Sequence, residues 1–122
     1  MSYLAPTDEM KFLLRDLFAI CDKSDVGKNL NFDDETVDSI LDEVSRLTEH
    51  VISPINSDGD LNPATFEGGK VTLPPSFSKA YDAIAKGGWV GISGHPKYGG
   101  LGLPMVLSTC VNEILSSGCL SL

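Results

Sequence analysis

Apolar residues recur at helical spacing in four parts of the 122-residue chain. The first part follows Thr7 or Asp8, either of which can cap a helix. Its apolar positions are Met10, Leu13, Leu14, Leu17 and Phe18, with Phe12 and Ile20 widening the stripe. This pattern predicts an amphipathic helix that packs against a partner. The polar residues 21–31 that follow are expected to form a connection of weaker order.

The second stripe is the most regular in the sequence. Asp33 or Asp34 can cap it, and apolar residues recur three and four positions apart at Val37, Ile40, Leu41, Val44, Leu47 and Val51. The acidic residues off this stripe are expected to form a solvated face: Asp38, Asp42 and Glu49. Pro54 is expected to kink or end the helix, with Ile55 able to continue it for one turn. Residues 56–62 are then expected to be a turn.

Residues 66–73 carry a Gly-Gly pair between apolar positions, which predicts a small hairpin or an extended crossing. A third helix is expected to start at Pro75, near the first helical position, where the missing N–H costs nothing. Its apolar face comprises Phe77, Ala80, Tyr81, Ile84 and Ala85. Gly87 and Gly88 are expected to end it in the left-handed conformation.

Residues 87–104 hold seven of the 12 glycines and the single tryptophan. We interpret this stretch as a rigid, shaped loop, which either carries function or forms a compact turn that packs Trp89 into the core. A last helix is expected to begin at Leu103 or Pro104 and to be buried nearly all round, with apolar Met105, Val106, Cys110, Val111, Ile114 and Leu115. Glu113 on that helix is either a paired structural carboxylate or a group that faces a pocket.

The four helices predict an all-α, bundle-like fold with a glycine-rich loop before the last helix. Residues 1–31 are expected to form an N-terminal extension helix and its connection. Residues 32–122 are expected to form a helical domain that packs as one unit and that is incomplete relative to the family named below.

Charge and composition exclude several classes of function. The formal net charge of −8 argues against nucleic-acid or anionic-membrane surfaces, which carry phosphates of the same sign. The three cysteines and two histidines lack zinc or disulfide spacing, so a reducing, cytoplasmic location and no metal site are expected. The sequence SDGD at residues 57–60 fails the EF-hand pattern. Phosphate-binding glycine motifs and a nucleophile–histidine pair are also missing from the sequence, so no catalytic or cofactor-binding residue is expected.

The stretch GGWVGISGHPKYGGLGLP, followed by VNEIL, resembles the N-terminal helical region of the flavin-dependent acyl-CoA dehydrogenases. The residues that carry this resemblance are Gly88, Trp89, Gly91, Pro96, Tyr98, Gly99, Gly100, Gly102, Leu103 and Glu113. The opening residues and SPIN at 53–56 are similar to the larger members, which carry an extra N-terminal helical segment. The opening match comprises Tyr3, Ala5, Pro6, Met10 and Phe12, and Gly59 and Asp60 extend it.

The resemblance implies a longer flavoenzyme that binds FAD and oxidises the α,β bond of an acyl-CoA thioester. The family's catalytic base is a glutamate of a C-terminal helical domain that has no counterpart here, so Glu113 is not that base. The resemblance also implies that Cys119, Leu120 and Leu122 wall the acyl-chain pocket. Trp89, Tyr98, Gly99, Gly100, Gly102 and Glu113 are structural motif residues in this interpretation. The remaining domains, and the acyl-CoA substrate of the full-length enzyme, are the expected partners.

Three hypotheses follow. The first is that the chain is the N-terminal portion of an acyl-CoA dehydrogenase, which alone is inactive, colourless and self-associates through the last helix and the glycine loop. The second is a stand-alone helical interaction or self-association module. The third is a small binder of apolar ligands between helices.

Overall fold

The computed structural model describes residues 2–23 and 32–122. Most of the connection predicted at residues 21–31 therefore lies outside the described residues. The described chain is mostly helical, which confirms the all-α class, and it adds one small exposed hairpin. Within the described residues, no helix is both long enough and apolar enough to cross a membrane.

The first helix, α1, spans Thr7–Lys11 and continues as a π-helical turn over Phe12–Leu17. A short helix, α2, follows at Ile20–Lys23. Pro6 precedes α1 and no side chain caps it, so neither Thr7 nor Asp8 is the cap. Met10 and Leu14 are buried, but the other apolar residues of the predicted stripe are exposed: Leu13, Leu17 and Phe18, together with Phe12. The buried side of this helix is therefore narrower than the apolar stripe predicts.

Helix α3 spans Asp34–Leu47 and forms the centre of the fold. The carboxylate of Asp33 caps it by accepting hydrogen bonds from the backbone N–H of Thr36 at 2.8 Å and from the Thr36 hydroxyl at 2.6 Å. Three residues of the predicted stripe are fully buried: Val37, Leu41 and Val44. Each such burial stabilises the fold by roughly 1.5–3 kcal/mol.

The helical path continues beyond Leu47 through three further turns. A π-helical turn over Thr48–Ile52 leads into a 3₁₀ turn over Ser53–Ile55 and then helix α4 over Asn56–Leu61. The predicted turn at residues 56–62 is therefore wrong. Pro54 does not end the path because it occupies an early position of the 3₁₀ turn, where its missing N–H leaves no hydrogen bond unmade.

The predicted hairpin is present and exposed. Strands β1, Thr65–Glu67, and β2, Lys70–Thr72, pair antiparallel with Phe66 opposite Val71. Gly68 and Gly69 form the turn with φ of 56° and 78°. Two consecutive positive φ angles match the twist of a tight hairpin, which explains the Gly-Gly pair.

Helix α5 spans Pro75–Lys86 and begins at the predicted proline. Phe77 and Ala80 are buried, whereas Tyr81 and Ala85 are exposed. Gly87 keeps a helical φ of −74°, and Gly88 alone takes the predicted left-handed conformation, at φ 77°. Two 3₁₀ turns, Trp89–Gly91 and Pro96–Tyr98, then build the glycine loop.

The last helix, α6, spans Met105–Gly118 and has Pro104 at its N-cap. It is buried on one face only, through Leu107, Ser108, Val111, Ile114 and Gly118. The opposite face is exposed and includes Met105 and Val106, so the expectation of burial nearly all round is wrong. Among the described residues, α6 packs mainly on α3 and on the Thr48–Ile52 turn, and the side that carries Met105 and Val106 is exposed.

Two clusters of buried side chains form the core. The larger joins the first helix, α3, the Trp89 turn and α6 through Met10, Leu14, Phe32, Val37, Leu41, Val44, Trp89, Ile92, Leu107, Val111 and Ile114. The smaller cluster consists of Ile52, Phe77 and Cys119, with Ile55, Leu122 and others packed against it. The second cluster connects α5 to the segment that follows α6.

Candidate functional site

The segment after α6, which the family resemblance assigns to an acyl-pocket wall, is divided between core and surface. Cys119 is buried against Ile52 and Phe77, and Leu122 is half-buried on the same cluster. Leu120 is 84% exposed. The thiol of Cys119 lies 3.5 Å from the Ser121 hydroxyl. The structure thus anchors the segment through Cys119 and leaves Leu120 available for contact.

Gly118 sets the position of this segment. A Cβ at Gly118 would overlap Cγ2 of Thr48, and it would lie 3.6 Å from Cγ2 of Ile52. The end of α6 therefore approaches the π-helical turn more closely than any other residue type would permit. The hydroxyl of Thr48 is fully buried at this contact and has no hydrogen-bond partner among the described residues.

The glycine loop is a rigid element held by its own backbone. The N–H groups of Leu101, Gly102 and Leu103 donate to the carbonyls of Gly91, Gly94 and Ile92 at 3.0, 2.9 and 2.9 Å. Gly99 and Gly102 take φ of 86° and 67°, which favour glycine. A Cβ at Gly100 would overlap the carbonyl of Gly94.

Trp89 resolves the two interpretations of this loop. Its side chain is 9% exposed and belongs to the larger core cluster, so the loop is a compact turn that buries the tryptophan. Tyr98, by contrast, is 82% exposed, with Lys97 Nζ at 5.6 Å from its ring centroid. The motif therefore combines one core anchor with one aromatic ring on the surface.

Glu113 is exposed on α6 and forms no hydrogen bond or ion pair with the described residues. This excludes the paired structural carboxylate within the described chain, and no described cavity is lined by it. The negative charge of Glu113 affects the thiol of Cys110, which lies three residues earlier on α6. Burial raises the pKa of the Cys110 thiol, and the Glu113 carboxylate raises it further.

Three acidic residues of α3 and the turn after it bind the N-terminal segment. The predicted solvated face is therefore wrong for Asp38 and Glu49, which are half-buried, whereas Asp42 is exposed as predicted. Lys11 Nζ lies 2.6 Å from Asp42, and Arg15 Nη1 lies 2.7 Å from Asp38. The carboxylate of Glu49 accepts a hydrogen bond from the backbone N–H of residue 5 at 2.9 Å. We call these three contacts the N-terminal clasp.

The sequence contains a signal for this clasp. Lys11 and Arg15 are four residues apart, and so are Asp38 and Asp42. Residues four apart lie on one face of a helix, so two antiparallel helices with these pairs form two ion pairs at once. The pairing requires the helix register, which the hydrophobic stripes alone do not specify.

Tyr3 adds a contact between the extension and α6. Its hydroxyl donates to the carbonyl of Ile114 at 3.3 Å. Burial raises the pKa of Tyr3, and a hydrogen bond with Ser117 opposes that rise. The extension therefore contacts both α3 and α6, although the predicted domain boundary at residue 31 stays a prediction.

An all-α domain with a rigid glycine loop before its last helix is the class that these observations define. No family model matches the chain. It is 30% identical over 123 aligned residues to the 3-methylmercaptopropionyl-CoA dehydrogenase of Ruegeria pomeroyi, an alignment that covers 99% of this chain and 21% of that protein. It is 32% identical over 89 residues to a broad-specificity linear acyl-CoA dehydrogenase of Mycobacterium tuberculosis, covering 71% of this chain and 15% of that protein.

The chain therefore belongs to the acyl-CoA dehydrogenase family, as the glycine motif indicates. The aligned part of the chain corresponds to about a fifth of the length of the Ruegeria pomeroyi protein and to 15% of the Mycobacterium tuberculosis protein.

Proposed function

We propose that the chain forms the N-terminal helical part of an FAD-dependent acyl-CoA dehydrogenase, which oxidises the α,β bond of an acyl-CoA thioester. The observation that carries this proposal is the 30% identity over 99% of the chain to a protein about five times as long. In this proposal the chain supplies a section of pocket wall and an interface to the remaining domains. The chemistry resides in residues outside it.

Exposed apolar side chains on the loop and α6 support the interface. Val90, Tyr98, Leu101 and Met105 are each more than half exposed, and Val106 is 41% exposed. Several large apolar side chains exposed on one loop and on the helix that follows it fit a surface that another domain covers. With the remaining domains removed, this surface is expected to drive self-association.

The pocket wall is assigned by the same proposal to Leu120, with Cys119 and Leu122 supporting it. Leu120 lies between Cys119 and Leu122, which both pack in the smaller core cluster, while its own side chain is exposed. Cys119 holds the backbone, and Leu120 offers apolar surface for an acyl chain. Gly118 limits how far the segment can move relative to the Thr48 turn.

The described residues do not fit the flavin cofactor that the family implies. A groove of about 750 Å³ lies between α3 and the Trp89 turn, and its rim includes Asp33, Glu35, Asp42 and Glu43. Asp42 and Glu43 pair with Lys11 and Arg46, but Asp33 and Glu35 form no ion pair with the described residues and repel the pyrophosphate of FAD. In this proposal FAD belongs to the remaining domains of the enzyme.

The test uses the purified 122-residue chain with FAD, an acyl-CoA and a dye acceptor. We expect neither flavin absorbance after gel filtration nor reduction of the dye. Stoichiometric flavin or turnover by this chain alone would overturn the assignment of roles. The intact mass of the native product provides a second readout, since a mass several times the 13.0 kDa of the chain is expected.

Self-association is tested by light scattering over a range of concentrations. Met105→Glu places a charge on the exposed face and is expected to shift the distribution towards monomer. Asn112→Glu is the matched control, because it adds the same charge at another exposed position of α6. A monomeric wild type at the highest concentration would refute the proposed interface.

A stand-alone interaction module is the second candidate, and the exposed apolar face of the loop and α6 is the observation that favours it. A native product of about 13.0 kDa would select this candidate. In that case the same face would bind a partner protein or a second copy.

A further inference from the structure

A mostly apolar cavity of about 450 Å³ lies between the turns that follow α3 and helix α5. One wall consists of Val51, Pro54 and Ile55 from the turns that follow α3, and the other consists of Pro75 and Ala80 from α5. No residue of α6 or of the segment after it lines this cavity. It is therefore separate from the proposed acyl-pocket wall.

The backbone geometry explains why this cavity exists. The π-helical turn over Thr48–Ile52 contains more residues per turn than an α-helix, so Ile52 takes the core position that the sequence stripe assigns to Val51. Val51 is left 37% exposed on the cavity wall. Pro54 and Pro75 have fixed φ angles, so both walls are stiff.

Two nitrogen-bearing side chains line the same cavity, His50 and Lys79. Both are exposed, and neither forms an ion pair or hydrogen bond with the described residues. The hydroxyl of Ser76 is unavailable as a donor because it already donates to Asp58. The chain carries a net charge of −8, so the ammonium group of Lys79 beside this apolar cavity differs in sign from the overall charge of the protein.

We propose that this cavity binds a small amphipathic anion, specifically an alkyl carboxylate whose chain contacts the apolar walls and whose carboxylate pairs with Lys79. The cavity volume lies in the range of small-molecule sites. His50, at the same opening, adds a second donor to the carboxylate. The acidic groove near Trp89 lacks this complementarity, since its rim carries four carboxylates.

Octanoate is the probe, and NMR chemical-shift titration of the 122-residue chain is the measurement. A ligand of this size and an open site predict saturable binding with a dissociation constant on the order of 1 mM. The shifted amides are expected to cluster around residues 50–55 and 75–80. Non-saturating shifts, or shifts confined to the segment after α6, would overturn the proposal.

Two variants test the two halves of the site. Lys79→Ala is expected to weaken octanoate binding about three- to five-fold, because it removes one partly solvated ion pair. Val51→Phe fills the cavity from an exposed wall position and is expected to abolish saturable binding while leaving the circular dichroism spectrum unchanged. Lys86→Ala, on the same helix but outside the cavity lining, is the matched control and should bind as the wild type does.

Two comparison ligands separate charge from hydrophobicity. Octanol has the same alkyl chain without the carboxylate, and acetate has the carboxylate without the chain. Both are expected to bind at least several-fold more weakly than octanoate. Equal binding of octanol would refute the role of Lys79, and unchanged octanoate binding by both cavity variants would refute the site. Neither outcome depends on the flavoenzyme proposal, because the titration needs no flavin and no other domain.

Discussion

The contact between Gly118 and Thr48 permits a stringent test of how α6 is positioned. Gly118→Ala places a methyl group where Cγ2 of Thr48 already lies. Overpacking of this kind costs about 1–3 kcal/mol of unfolding free energy. Alanine is up to about 1 kcal/mol more favourable than glycine in a helix interior, and the gain is smaller at the last residue of α6. We therefore expect a net destabilisation of about 0.5–2 kcal/mol.

The compensating change is Thr48→Ser, which removes Cγ2 and keeps the buried hydroxyl. Alone, it deletes one fully buried methyl group and is expected to cost about 1 kcal/mol. In the double variant, the new methyl of residue 118 occupies the space vacated at residue 48. The double variant is expected to lie within about 0.5 kcal/mol of the wild type, although the two single costs add to about 1.5–3 kcal/mol.

The assay is urea denaturation followed by far-ultraviolet circular dichroism for the wild type, both single variants and the double variant. Ser116→Ala is the control, since it alters an exposed residue of α6 and should change stability by less than about 0.5 kcal/mol. Additive destabilisation in the double variant would show that the two side chains do not share this space. That result would refute the close approach of α6 to the π-helical turn.

Three further predictions concern the clasp, the α4–α5 contact and the loop. Arg15→Ala should destabilise the chain by about 1–3 kcal/mol, since it leaves the partly buried carboxylate of Asp38 with fewer partners. Lys11→Ala should cost at most about 1 kcal/mol, and this cost should disappear in high salt. Urea unfolding at two salt concentrations measures both effects. Hydrogen bonds from Ser76 and, second in size, from the side-chain amide of residue 62 lower the pKa of the Asp58 carboxyl. The destabilisation by Asp58→Asn should therefore be full at pH 7 and should fade as the pH drops below about 4 towards the lowered pKa of the folded state. Unfolding measured at pH 7 and again below about pH 4 tests this prediction. Gly100→Ala, which meets backbone, should destabilise more than Gly99→Ala, which meets open space and costs only about 1–2 kcal/mol of left-handed strain; equal melting-temperature losses would contradict the loop geometry.

The elements that the sequence predicted correctly are those with short-range signals. Helix α3 has a capping aspartate and a regular stripe, and the hairpin has two glycines at the positions of positive φ. Helix α5 begins at the proline that the pattern assigned to its start. In each case the physical cause lies within a few residues of the feature.

One group of errors lies where helical turns depart from 3.6 residues per turn. Two π-helical turns, at Phe12–Leu17 and Thr48–Ile52, rotate the following side chains away from the α-helical register. The predicted stripe therefore places Val51 in the core where the structure places Ile52. A hydrophobic pattern reports the average period of a helix and not the position of a wider turn.

The solvated-face prediction missed the contacts of the clasp carboxylates for a different reason. A run of charged residues opposite an apolar stripe is usually solvated, and nothing within α3 distinguishes Asp38 and Asp42 from such a run. Their role depends on Lys11 and Arg15, which lie 31 and 23 residues away from their partners in sequence. Long-range pairing of this kind follows only from the antiparallel register of the first helix and α3, which Met10 and Leu14 establish by burial.

The glycine motif that identifies the family sets the path of the backbone from the Trp89 turn to the start of α6. Gly88, Gly99 and Gly102 occupy positive φ, where a side chain costs about 1–2 kcal/mol, and Gly100 lies against Gly94, where a side chain does not fit. Three backbone hydrogen bonds close the loop independently of side-chain identity. The start of α6 is therefore set by backbone contacts, while the outward side chains of the loop are free to vary. Under the proposed function, substitutions at these glycines would alter stability and the docking of the remaining domains, whereas changes at residues 119–122 would alter contact with an acyl chain.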